Sequence, residues 1–136
     1  MSRPCEFLEA SLAEWLLPRF LELTYTAYDL EPFAKDCGYR CPPFCWKEDR
    51  RFLIRCEIDA VFFHVYGVER EDVEYIMDTF SLVKTRDEDK HGEYRTKRII
   101  LSIYDQMAEC IRNRCPYQTL LDPPPADVRV AHPAKK

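Results

Sequence analysis

A nearly continuous apolar run from Phe52 to Val65, opened by charge and closed by Gly67, most constrains what this chain can fold into. Phe52, Cys56, Ala60 and Phe63 recur at helical spacing, and Ile54, Ile58, Phe62 and Val65 form an adjoining face. A helix with two apolar faces packs against more than one neighbour, so this stretch is the expected core element. Gly67 stands where a left-handed residue would stop it. Val68, Val73, Ile76, Met77 and Phe80 then mark the inward side of a second, shorter helix.

A chain of 136 residues suits one domain, and its 46% apolar share argues against disorder. The net charge of -4 fits poorly with a protein that grips nucleic acid unaided, because nonspecific affinity comes mainly from neutralising phosphates. A local basic patch is compatible with it. No window reaches the roughly 20 apolar residues that a membrane span needs. Glu6, Glu9 and Glu14 also interrupt the region where a signal peptide would be apolar. The expected location is the cytoplasm, where the seven cysteines stay reduced, with no membrane partner. Gly38, Gly67 and Gly92 are the only glycines and stand far apart. No glycine-rich loop is present to cradle a phosphate, a dinucleotide or S-adenosylmethionine.

Phe7, Leu8, Leu12, Trp15, Leu16, Phe20, Leu21 and Leu23 keep helical spacing, with Pro18 expected to split that helix or end it near Leu17. Residues 24–28 read as extended, and Asp29 as the N-cap of a short helix closed by Gly38. Pro42 and Pro43 exclude regular structure from the loop that follows. Residues 81–94 read as a polar, charge-dense connection. A long helix begins near Glu93, with Tyr94, Leu101, Tyr104, Ala108 and Ile111 on one face and Ile100, Ile103 and Met107 widening it. The expected fold is mainly α: a small helical domain over residues 1–115 with its core in 46–112. Its N-terminal half is irregular and aromatic, and a proline-rich tail extends over 116–136.

Cys37, Cys41 and Cys45 recur at every fourth position and Cys56 follows. That spacing departs from a zinc knuckle, and Cys56 falls on an apolar stripe where a buried thiol is the ordinary reading. His64 reads as a core histidine. His91 and His132 have no evident partner, and Glu57 with Asp59 reads as a salt-bridged rim. Nothing here assigns a catalytic residue, a metal ligand or a cofactor contact. The remaining candidate is the run from Lys84 to Arg98, where six cations against four carboxylates leave +2. Lys84, Arg86, Lys90, Arg95, Thr96, Lys97 and Arg98 are the expected DNA contacts, the last four beside the open amides of a helix start. The competing reading is a solvated helix start, with Glu93 favouring the dipole and Arg95 or Arg98 paired to the acidic loop.

Amino-methylating DNA enzymes resemble one another in a short Asn/Asp-Pro-Pro-aromatic motif. Here Cys41-Pro42-Pro43-Phe44 has the ring without the polar group, and Asp122-Pro123-Pro124-Pro125 the carboxylate without the ring. Three longer stretches, at 17–39, 56–80 and 82–107, nonetheless resemble the C-terminal region of large adenine-specific DNA methyltransferases. These are the single-chain enzymes of Type IIG restriction–modification and related phage-defence systems. The run Gly92 to Arg98, with Thr79, Phe80, Val83 and Lys84 before it, carries the likeness most specifically, and the whole covers about residues 16–125. Ser81, where the family would have proline, departs from it. The resemblance implies that the S-adenosylmethionine pocket and the Pro-Pro-aromatic motif belong to an upstream domain absent from this chain. The chain is then a detached DNA-recognition or accessory segment, not an enzyme alone, with DNA or a separate methyltransferase subunit as partner. The alternative is a non-catalytic module that docks on a methyltransferase partner through the apolar N-terminal face of Trp15, Leu16, Phe20, Leu21 and Leu23, a face that also permits self-association, or a non-functional gene remnant.

Overall fold

The computed structural model describes residues 11–133. Phe7 and Leu8, expected in the first helix, lie outside the described residues, as does the end of the tail. The chain is mainly helical, with 67% helix and, among the described residues, no strand. The helices are α1 (Leu12–Thr24), α2 (Glu31–Asp36), α3 (Glu48–Val65), α4 (Arg70–Asp78), α5 (Ser81–His91) and α6 (Arg95–Asn113). No described helix is long and apolar enough to cross a membrane. The described residues fall into two compact units, 55–117 and 11–54 with 118–133.

In the 55–117 unit, the two apolar faces of α3 are both used. Cys56, Glu57, Ile58, Ala60 and Val61 are buried, while Arg55 and Asp59, four apart, mark the outward strip. The helix ends at Val65, and Gly67 takes the left-handed conformation (φ +69°). On α4, Val73 and Met77 point inward, whereas Phe80 is about half exposed. α6 packs against both α4 and α5. Its buried residues, Ile100, Leu101, Ile103, Tyr104 and Met107, follow the spacing of a single helical stripe. The stripe is rotated from the expected centre: Ile100, Ile103 and Met107 are wholly buried, while Ala108 and Ile111 are only half buried. Truncating Ile103 to alanine should cost about 2–5 kcal/mol, the range for a packed aliphatic residue.

Two expectations about this unit are corrected. Residues 81–91 form helix α5, not a loop. The segment lacks apolar periodicity, but Leu, Lys, Arg and Glu favour helix intrinsically, and Gly92 (φ +74°) closes it with its N–H on the Glu88 carbonyl at 2.9 Å. Glu57 is no rim residue: it is fully buried and accepts the Tyr117 hydroxyl at 2.6 Å. A carboxylate with such a donor tolerates a place that an unpaired one would not.

In the other unit, α1 starts at Ser11, whose hydroxyl accepts the Glu14 N–H at 3.2 Å. It runs unbroken through Pro18, contrary to the expected split. Trp15 and Leu16 before the proline and Arg19, Leu21 and Glu22 after it are all buried, and that fixation outweighs the roughly 3 kcal/mol cost of an interior proline. The Arg19 guanidinium also lies 3.5 Å over the Trp15 ring and donates to the Trp15 carbonyl at 2.9 Å. Burial of Trp15, Leu16 and Leu21 removes most of the apolar surface expected to drive self-association, leaving Phe20 and Leu17 partly exposed. Asp29 sits inside a 3-10 turn, Tyr28–Leu30, instead of capping α2.

Tyr25, Ala34, Phe44, Leu21 and Val130 form this unit's core. Tyr39 packs on Phe44 with ring centres 4.7 Å apart, and Tyr25 meets both edge-on. Residues 118–133 bring Leu121 and Val130 into the buried set and form a 3-10 turn at Val128–Val130. Phe44 and Ala131 make an isolated antiparallel bridge, flanked by Cys45 N–H to Val130 O and His132 N–H to Pro43 O, each 2.8 Å.

Candidate nucleic-acid interface

The expected DNA contacts divide between two helices. Lys84, Arg86 and Lys90 lie exposed on α5, a helix that buries none of its side chains. Thr96, Lys97 and Arg98 lie in the first turn of α6, and each is already engaged. The Thr96 N–H donates to the Asp87 carboxylate at 2.6 Å, so part of the anion position at this helix start is taken by the protein's own charge. Lys97 pairs with Asp78 at 3.0 Å. Arg98 Nε lies 3.0 Å from both carboxylate oxygens of Glu93. Arg95 is half buried. The Tyr94 hydroxyl donates to the Met77 carbonyl at 2.7 Å, which ties the start of α6 to the end of α4.

The geometry therefore has two layers. Asp87, Tyr94 and Asp78 position the α5–α6 corner from within, and Lys84, Arg86 and Lys90 present charge outward. Phe80, Leu82 and Val83 at the start of α5 are also exposed, Leu82 at 72%. Beside this corner, Arg70, Arg98, Leu101, Ser102, Asp105, Gln106 and Glu109 line an open cleft of about 450 Å³. Arg70 crosses it to Asp105 at 2.9 Å.

His64 is held as a core histidine. Its Nε2 lies 2.9 Å from the Tyr104 carbonyl, its ring stacks on Tyr104 at 3.9 Å, and burial lowers its pKa. Burial pushes the Cys56 thiol up to about 12, with Asp59 adding to the effect. Among the described residues, no three His, Cys, Asp or Glu side chains converge as a metal site would need. One pairing was not anticipated. His132, which has no partner visible in sequence, places Nδ1 3.7 Å from the Cys45 sulfur. Eighty-seven residues separate them, and the Phe44–Ala131 bridge with its two flanking backbone hydrogen bonds joins their segments.

Comparisons with family models, with curated proteins and with solved structures find no match to this chain.

Proposed function

We propose that this chain is a DNA-recognition or accessory segment like the C-terminal end of an adenine-specific methyltransferase from a restriction–modification or phage-defence system. It has no methyl-donor site of its own and is silent as an isolated enzyme. The observation that supports this reading is the α5–α6 corner: Lys84, Arg86 and Lys90 project from a helix with no buried side chain, in the part of the chain that carries the family likeness most specifically. Its expected partners are duplex DNA and a separate methyltransferase subunit.

The test is a titration of the pure chain with duplex DNA of mixed sequence at low ionic strength. Binding should weaken with salt, and replacing Lys84, Arg86 and Lys90 with alanine should lower affinity similarly for all sequences. The salt slope should fall by about one for each cation that meets a phosphate. Absence of binding at low salt would overturn the DNA reading. Addition of the chain to an upstream methyltransferase fragment then asks whether methyl transfer or its site selectivity depends on it.

The exposure of Phe80, Leu82 and Val83 favours a second reading, a docking module that contacts a partner protein without touching DNA. Sedimentation separates the two. A docking module would sediment as an oligomer or require its partner, and its DNA titration would be flat.

A further inference from the structure

We infer that Cys45 is a reactive thiol with His132 as its base, forming a modification site for small-molecule disulfides. The pair stands on geometry fixed by the backbone. The bonds Cys45 N–H to Val130 O and His132 N–H to Pro43 O bracket the Phe44–Ala131 bridge, and Phe44 N–H donates to the Tyr25 carbonyl at 2.8 Å. Phe44 is wholly buried among Tyr25 and Tyr39, so the two segments are pinned from beneath. Above that anchor, the Cys45 sulfur lies 3.7 Å from His132 Nδ1, within reach of an S–H···N hydrogen bond. Cys45 is half exposed and His132 exposed, so a small reagent can reach the sulfur.

With its proton on Nε2, the His132 ring leaves Nδ1 free to accept the thiol proton. The Cys45 thiolate then attacks one sulfur of the disulfide. A new S–S bond forms to Cys45 as the reagent's own S–S bond breaks. The Cys45 sulfur is oxidised and the departing sulfur is reduced to a thiolate, which takes the proton from the imidazolium. The oxidant is the small disulfide itself, and the balance closes on the pair and the reagent.

The chain supplies its own reference, because Cys41 lies four residues away, is more exposed, and has no histidine contact among the described residues. The experiment treats the full chain with limiting glutathione disulfide near neutral pH and follows each cysteine by peptide mapping. Cys45 should be modified before Cys41 despite its lower exposure. His132→Gln should slow Cys45 by about a hundredfold, the low end of what a positioned base supplies, and leave Cys41 unchanged. Circular dichroism on the variant, whose substitution is at an exposed position, verifies that the fold persists. Equal rates at Cys45 and Cys41, or a Cys45 rate indifferent to His132→Gln in a folded variant, would overturn the proposal.

Discussion

Arg50 grips Glu22 with two nitrogens, Nε at 2.7 Å and Nη2 at 2.8 Å from the two carboxylate oxygens, and both residues are buried. The same guanidinium donates to the carbonyls of Pro123 at 2.7 Å and Pro124 at 3.2 Å, while Glu22 also accepts the Ala126 N–H at 2.9 Å. One ion pair thus fastens α1, the start of α3 and the proline-rich segment together. Because four of the five guanidinium N–H groups and both carboxylate oxygens are engaged, the desolvation cost is offset in a way a bare buried pair would not achieve.

Breaking this pair should be severe. Arg50→Met removes one charge and leaves the Glu22 carboxylate buried, at a cost of about 3–5 kcal/mol. Urea denaturation measures it. Limited proteolysis should show new cleavage within residues 118–133. The double variant Arg50→Met with Glu22→Leu should recover part of the loss, since no orphan charge then remains. A loss under about 1 kcal/mol for the single change would mean that water reaches the pair.

Alkaline pH should destabilise the protein through Cys56. Its folded pKa of about 12 lies above the ordinary thiol value of 9.0, so the unfolded chain ionises first. Stability is complete below the unfolded value and falls as pH rises from there towards the folded one, by about 1 kcal/mol between pH 8 and 10. Tyr39, also raised to about 12 by burial, adds a loss of the same sign above pH 10. Urea midpoints at both pH values test this, and Cys56→Ala should flatten the decline. Native-state alkylation should spare Cys56.

The Tyr25 hydroxyl is buried with no hydrogen-bond partner. Tyr25→Phe keeps the ring packed against Tyr39 and Phe44 and removes the orphaned group. The variant should be as stable as the parent or more stable by about 1 kcal/mol. A drop in melting temperature would show that the hydroxyl is satisfied by water.

Asp87 separates two roles at the candidate interface. Asp87→Ala deletes the acceptor for the Thr96 N–H and should cost about 1 kcal/mol, as loss of a helix cap does. Asp87→Asn keeps an acceptor and removes a negative charge beside the proposed phosphate contacts. A contact between unit charges in water is worth about 1 kcal/mol, so DNA affinity should tighten by up to roughly fivefold at low salt. Unchanged or weaker affinity for a folded Asp87→Asn would place the DNA elsewhere.

What could be read from the sequence was what repeats locally. The stripes of α3, α4 and α6 and the glycine stop at Gly67 write themselves into neighbouring residues, because a helix returns to the same face every three to four positions. α5 escaped that test because it buries nothing, and propensity alone is a weak signal. Continuity through Pro18 depends on burial that the local rule does not see. Glu22 with Arg50, Glu57 with Tyr117 and Cys45 with His132 are 28, 60 and 87 residues apart. Such pairs leave no periodic trace, and a charged residue due to be buried looks like any other charged residue until its partner is in place. At the candidate interface, the cations were identifiable by type and the competing reading already paired Arg95 or Arg98 with a nearby carboxylate, but Glu93 as the partner of Arg98 and Asp78 as that of Lys97 came with the fold.

A helix that buries no side chain has little beyond its ends to hold it. For α5 the holds are the Gly92 closure, the bond from Thr96 to Asp87 near its middle and a shallow contact with α6, and an isolated helix of this length is marginal in water. Its amide protons should therefore exchange with solvent well before those of α3 or α6, through a local opening that leaves the rest of the unit folded. Contact with a polyanion would then register first as slowed exchange along residues 81–91, making the least protected segment the most informative reporter of an encounter.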